Sequence, residues 1–374
     1  MNRRKTRDQE TAAGADFQLV LNRKNVCRTI TTQAKQMMIA VAIGAAPGRE
    51  VDWHSIDWAK SYQTVRRLQA RVAKAVTDGR CNKVKALQWR LTHSFSGKAC
   101  AVRRVIENMG RKTPVGDQET WNTPASKTRA VTSFSRRGYQ PQPLRRVSDR
   151  ATQALHVSAL EPVAETTADP NSYGFRRKRA CRDAAEQRLI NLAKKTASEW
   201  VLDADIAGYF DNISHEWLIA NIPMDKKILG SWLKTGFVEN QQWFPTEAGT
   251  PQGGIISPTL ANMALNGMEK AVKDGIAGAI SINEAKEAKV NVVRYADDFI
   301  IGGAAPRHLA ISVNVVEGIL GARGLTLSPE KTRTARIDDG FDFLGWTIRK
   351  YGGNSSSHQR KEMCRTFSSK FGEL

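Results

Sequence analysis

The sequence is poor in cysteine, poor in acid, and has no apolar run that could span a bilayer. Its five cysteines (Cys27, Cys81, Cys100, Cys181, Cys364) are odd in number and scattered. There is no Cys-x-x-Cys pair or Cys/His cluster, so neither a disulfide framework nor a zinc site is expected, and the thiols read as reduced. The apolar run 37–46 is far too short to cross a membrane. Between residues 17 and 49 there is no acidic residue, a bias seen in targeting segments. It lies too far from residue 1 for an ordinary secretory signal, and 1–50 is expected to be a loosely ordered leader. The acid deficit extends to the whole chain: Asp and Glu number 37 against 57 Lys and Arg, a net charge of +20. Such an excess repels itself in a compact chain and calls for an anionic partner. Nucleic acid is the first candidate, since no long basic amphipathic helix with a lipid-facing aromatic row is present, and no membrane partner is expected.

What is present is enough for two or three domains with a sizeable core: 374 residues, 41% of them hydrophobic. Residues 51 to about 110 read as helical. Val65, Leu68, Val72 and Val76 recur at helical spacing, as do Val102, Val105, Ile106 and Met109, with Gly110 as a stop. Arg66, Arg67, Arg71, Lys74, Lys83 and Lys85 occupy the other faces, either as a solvated surface or as a phosphate-binding one. Residues 111–150, rich in Thr, Pro, Gly and Arg, read as an irregular connector. From about 151, helical stretches at 153–165 and 181–196 alternate with apolar runs at 200–206, 290–295 and 299–302. That mixture predicts an α+β or α/β domain. From Gly352 the chain is polar, Ser-rich and aperiodic.

The chemistry concentrates in a few places. Val292-Val293-Arg294-Tyr295-Ala296-Asp297-Asp298-Phe299-Ile300-Ile301 reads as a hairpin with two carboxylates at its turn. Asp-Asp alone would suit a plain turn. However, Trp200-Val201-Leu202-Asp203-Ala204-Asp205-Ile206 places another carboxylate at a strand end, followed by Phe210 and Asp211. Brought together, such acids would make an oxygen-rich site of the kind Mg²⁺ prefers. Two such ions about 3.5–4 Å apart can activate a 3′-hydroxyl and stabilise a leaving pyrophosphate. Between these elements, residues 249–258 (Gly-Thr-Pro-Gln-Gly-Gly-Ile-Ile-Ser-Pro) form a Gly/Pro-rich turn entering a helix, where bare N–H groups could meet an anion or a base pair.

Together these residues resemble the group II intron reverse transcriptases, or intron maturases. The Tyr-x-Asp-Asp box is common to reverse transcriptases. The segments Thr250 to Pro258, Asp169-Pro170-Asn171-Ser172-Tyr173-Gly174-Phe175-Arg176 and Gly340-Phe341-Asp342-Phe343-Leu344-Gly345-Trp346 point to this branch. Trp53, Trp58 and Leu68-Gln69 also match. The resemblance implies an α+β fold, a right-hand polymerase palm with partial fingers behind a helical N-terminal RNA-binding extension. It implies Asp205, Asp297 and Asp298 as catalytic aspartates holding two Mg²⁺ ions, and Phe210 as the gate against a ribose 2′-hydroxyl. Arg176, Gln252, Gly253 and Lys331 would lie near nucleotide and template, and Arg145, Arg146, Arg177, Lys178 and Arg179 along phosphates. Asp203 and Asp211 match no metal ligand and read as structural. The implied partners are group II intron RNA, an RNA template with a DNA primer, and deoxynucleoside triphosphates. The implied setting is a bacterial cytoplasm or an organelle matrix.

The boundaries that follow are a leader over 1–50, a helical extension over 51–140, fingers and palm over 141–351, and a tail outside the family pattern over 352–374. Two departures stand out. Pro143-Leu144-Arg145-Arg146-Val147 runs directly into Ser148-Asp149-Arg150-Ala151, where the family inserts a basic fingers hairpin. After Tyr351 the family's thumb does not follow. Smaller departures are Arg177 in place of Pro and Val115-Gly116-Asp117 in place of Gly-Val-Asp. The expected activity is RNA-directed DNA synthesis weakened by these gaps. The alternatives are a non-catalytic RNA-binding splicing cofactor and an inactive remnant.

Overall fold

The computed structural model describes residues 52–107, 121–134, 147–192, 197–239, 242–250 and 253–349. The leader, Met109, Gly110, Arg145, Arg146, Gln252 and the tail 352–374 lie outside them.

A short 3-10 turn (Trp53–Ser55) leads into α1 (Trp58–Thr77), α2 (Cys81–His93) and α3 (Phe95–Glu107). Asp57 starts α1 by accepting from the Lys60 N–H at 2.9 Å, and Ser94 starts α3 by accepting from the Gly97 N–H at 3.0 Å. Val65, Leu68 and Val72 are buried as the periodicity predicts, but Ala75 completes the stripe and Val76 is only half-buried. Likewise Val102 and Val105 are buried while Ile106 is partly so. Both stripes turn inward with steps of three and four; in the first the sequence pattern misplaces the last member by one residue, and Met109, the last of the second, lies outside the described residues.

The stretch expected to be irregular, 111–150, contains α4 (Pro124–Thr132) and the start of α5 (Val147–Thr167). Thr123 and Ser126 cap α4 reciprocally, and Pro124 opens its first turn. The Thr and Pro that suggested a connector are therefore the start signal of a helix.

α1 and α3 pack against α5. α5 carries Pro162 in its interior, and proline has no N–H to give the carbonyl four residues back, which is that of Ser158. Gln69 of α1 substitutes, its Nε2 donating to Ser158 O at 2.8 Å. Gln88 of α2 donates to Ala159 O at 3.3 Å. Gln69 thus supplies from outside the donor that Pro162 cannot, and Gln88 adds a bond one residue further along.

Beyond α5 come α6 (Cys181–Leu192), β1 (Trp200–Ala204), β2 (Ile206–Ala207), α7 (Tyr209–Asn212), α8 (His215–Asn221) and α9 (Lys226–Leu233). A small hairpin of β3 (Phe237–Glu239) and β4 (Gln242–Phe244) precedes α10 (Ser257–Ala264), α11 (Met268–Ala279) and α12 (Ile282–Glu287). Then follow β5 (Asn291–Tyr295), β6 (Asp298–Gly303), α13 (Pro306–Gly321), β7 (Thr326–Leu327) and β8 (Arg333–Arg336). A last hairpin joins β9 (Phe341–Phe343) to β10 (Trp346–Ile348).

Four strands form an antiparallel sheet in the order β5-β6-β1-β8. Val201, Val293 and Ile300 cluster on one face with Tyr173, Phe341 and Phe343. The alternate residues Leu202, Val292, Phe299 and Ile301 are also buried, and α11 and α13 pack on the sheet. Covering both faces explains why these strands read as continuous apolar runs, and the expected α+β palm is what the chain forms.

Candidate active site at the end of the palm sheet

The β5–β6 hairpin closes at the pair Tyr295 and Asp298, leaving Ala296 and Asp297 as the turn. Ala296 has φ 57°, the left-handed region that tight hairpin turns use and that a residue with a Cβ enters at a cost. Ala204 of β1 pairs with Phe299, so Asp205 follows one step further along, toward the level of Asp298. The three acids named from the sequence therefore share one end of the sheet.

Their charges act on each other. Burial, then Asp297 and Asp205, push the Asp298 carboxyl up to about 6. Burial, with Asp205 adding to it, raises Asp297, while Lys331 and Arg294 oppose the rise. Lys331 donates to the buried Asp205 carboxylate at 2.6 Å, and that bond holds its ammonium above the usual lysine range. Mutual repulsion of this kind is what a bound cation would relieve, and hard carboxylate oxygens suit Mg²⁺. Among the described residues, however, no group of three or more His, Cys, Asp or Glu side chains is gathered as a ready metal cage. Asp205 instead has Lys331 as its counter-ion. Asp203 pairs with Arg333 across the β1–β8 ladder at 3.2 Å.

Phe210, on α7, meets Phe175 edge-on with ring centres 5.7 Å apart. The Gly249-Thr250 loop docks on its backbone, the Thr250 N–H donating to Phe210 O at 2.7 Å. Gly249 has φ 87°, and a Cβ there would lie 2.7 Å from the carbonyl oxygens of both Phe210 and Asp211. Only glycine fits. Further along this loop Gly253 is exposed, and the Ile255 N–H donates to Gln153 of α5 at 2.8 Å.

The basic run after Tyr173 is largely engaged with protein. Arg176 makes a two-pronged bond to Glu165 and donates to the carbonyls of Asp169 and Ser172. Arg177 pairs with Glu161 at 3.0 Å, and Arg179 with Glu165 at 3.5 Å. Lys178 is exposed. Sequence reasoning gave no role to Phe175, which is 50% exposed with φ 56° beside Phe210, or to Arg294, Asn262 and Gly174 beneath the turn. Their signal was in plain view, since all but Asn262 stand inside the matching motifs.

The family model described as reverse transcriptase (RNA-dependent DNA polymerase) matches residues 132–348. The chain belongs to the reverse transcriptase family. A second model, the N-terminal domain of reverse transcriptase, matches residues 53–134. This reverse transcriptase is 30% identical to protein YkfC of Escherichia coli K12 over 254 residues, 55% of this chain and 67% of that one. It is 34% identical to the group II intron-encoded protein LtrA of Lactococcus lactis over 158 residues, 36% of this chain and 26% of LtrA. An uncharacterized 91 kDa protein in a cob intron of Schizosaccharomyces pombe is 26% identical over 63% of this chain and 34% of its own length. The reverse transcriptase thus spans two thirds of YkfC and about a quarter of LtrA. Among the described residues, no helix is long and apolar enough to cross a membrane.

Proposed function

We propose that the chain is an RNA-directed DNA polymerase of the group II intron type, acting on an RNA template and DNA primer with deoxynucleoside triphosphates. The observation that carries this reading is the sheet end itself. Asp297 and Asp298 sit at a hairpin beside Asp205, with the Phe210–Thr250 junction nearby. Asp205, Asp297 and Asp298 are the residues that would hold Mg²⁺. Two bound ions would supply nucleophile activation and leaving-group stabilisation. The chain's own residues do the positioning. Phe210, backed by Phe175, limits the space beside an incoming sugar, and Gly253 offers bare backbone next to Gln252. Lys331 balances the acids in the resting protein and is at hand for a triphosphate. Arg176 holds the loop from which Arg177, Lys178 and Arg179, with Arg145 and Arg146, would reach phosphates. Group II intron RNA is the proposed partner, in a bacterial cytoplasm or an organelle matrix.

Primer extension by the full chain on an RNA template tests this, with an Asp297→Ala, Asp298→Ala double variant as control. Extension that needs Mg²⁺ and is lost in the control is expected. It should be slow, because Pro143-Leu144-Arg145-Arg146-Val147 runs in sequence directly into Ser148-Asp149-Arg150 where the family pattern inserts a basic fingers hairpin, and phosphoryl transfer depends on positioning. Extension unaffected in the control would overturn the assignment.

A second reading, an RNA-binding splicing cofactor, is favoured by one observation. On α2, Trp89 is 46% exposed and stacks on His93 with centres 4.2 Å apart, beside exposed Arg90. That surface suits bases and phosphates. Intron splicing promoted equally by the chain and by its double-Asp variant would select this reading.

A further inference from the structure

Arg294 lies on β5, two residues before the turn, and only 2% of it is exposed. A guanidinium stays charged in proteins, so burying it is costly unless its geometry is put to use. Here one nitrogen, Nη1, donates to the Ala296 carbonyl oxygen at 3.0 Å and to Asn262 Oδ1 at 2.9 Å. Nε and Nη2 have no partner among the described residues. Ala296 is the strained residue of the turn, and its carbonyl forms the peptide bond into Asp297. Arg294 therefore grips the peptide that presents that acid.

The grip is itself held. Asn262 of α10, buried, accepts from Arg294 through its oxygen and donates through its nitrogen to the Gly174 carbonyl. Gly174 closes the circuit from the other side. A Cβ built there would fall on the Ala296 backbone nitrogen and lie 3.0 Å from the Ala296 Cα. The Gly174 segment is pinned in turn to the edge of β5, with the Tyr173 N–H donating to Arg294 O at 2.8 Å and the Arg294 N–H to Asn171 O at 2.9 Å. The turn is thus seated on a bare glycine and drawn down by a buried cation. The same cation lowers the charging cost of Asp297, which it attracts.

We propose that Arg294 is a positioning residue for Asp297, clamped by Asn262 against the Gly174 seat. It touches no substrate, and its role rests on the polymerase reading above. Its loss should impair the presentation of the acid while leaving nucleotide binding almost unchanged.

The test uses the full chain and the variants Arg294→Met, Arg294→Lys and Gly174→Ala. It follows melting, Mn²⁺ binding by electron paramagnetic resonance, and single-nucleotide addition. Arg294→Met removes a buried charge, keeps similar bulk, and should fold. Its kcat should fall about tenfold to a hundredfold, as small misplacements of reacting groups do, with KM for the nucleotide changed less than about twofold. Arg294→Lys keeps a cation and a donor and should recover part of the loss, which a mere space-filling role would not produce. Gly174→Ala pushes the same turn from the opposite side, and both it and Arg294→Met should bind Mn²⁺ more weakly. The proposal is overturned if Met serves as well as Arg, if Lys is no better than Met, or if the loss lies in KM. Should Arg294→Met fail to fold, Gly174→Ala decides by the same criteria. If the unaltered chain extends no primer at all, the polymerase reading fails separately. Mn²⁺ binding then decides: weaker binding in the variants supports the clamp, and equal binding rejects it.

Discussion

Leu91 of α2 and Arg294 of β5 are both almost wholly enclosed, at 0% and 2% exposure, and they stand for two ways of filling an interior. Around Leu91 the helical region buries Val65, Leu68, Val72, Val102 and Val105, and its enclosed Gln88 and Thr92 bond to backbone. Around Arg294 the palm buries Asp169, Asp205, Arg188 and Glu269 as well. Arg188 bonds Asn291 at 2.6 Å, and burial pushes its guanidinium down to about 10. The first interior gains stability from apolar area. The second gives up stability to fix the directions of a few polar atoms. The difference is between an interior that packs and one that places.

That contrast can be broken most sharply at the turn. Asp297→Ala should lower extension by about a thousandfold or more, since groups acting as a unit fail together. It should leave the melting temperature unchanged or slightly raised, because a repelling carboxylate is removed. A marked drop in melting temperature would show that the acid is structural. The reverse experiment is Leu91→Ala. It should cost about 2–5 kcal/mol in denaturant unfolding, as core truncations do, with kcat per folded molecule unchanged. A fall in kcat at full folding would erase the distinction between the regions.

Gln69→Ala sits between them. It leaves the Ser158 carbonyl without its donor and should cost about 1–3 kcal/mol. Pro162→Ala, which supplies an N–H from within α5, should reduce that cost when combined with it, and a double-mutant cycle measures the coupling. Strict additivity would refute the exchange. The smallest effect concerns pH. Burial and the neighbouring Asp297 and Asp205 push the Asp298 carboxyl up to about 6 in the folded chain, above an ordinary aspartate. From pH about 4 to about 6 the folded form keeps a proton that the unfolded form has lost. Stability from this group is therefore present at low pH and lost as pH rises through that window. In denaturant titrations with chelator present, Asp298→Asn should flatten this slope, and an unchanged slope would contradict the shift.

Much of this was legible in the sequence. The β-branched run 290–301 interrupted by Ala-Asp-Asp gave the hairpin, and the apolar end of 200–206 gave the neighbouring strand with its acid. Local patterns sufficed because each side chain's facing follows from its position in a strand. Thr123 and Pro124 announce α4, but the Thr, Pro, Gly and Arg composition around them hides that signal. Arg294 read as one more basic residue, and its role depends on Asn262 and Gly174, which only the folded chain brings beneath it. Arg176 was expected near nucleotide. Its bonds to Glu165 and the 169–172 backbone came from elements whose approach no periodicity reports.

The glutamine that serves Ser158 reaches across 89 residues of chain. During folding, then, α5 cannot finish its own hydrogen-bond ladder by local zipping. One carbonyl in its middle lacks a donor until α1 arrives, which ties completion of the helix to a non-local contact of the kind that slows folding. Because α1 leaves the ribosome first, it can already be formed when Pro162 emerges. The same helix made alone, as an excised peptide, should fray at the proline.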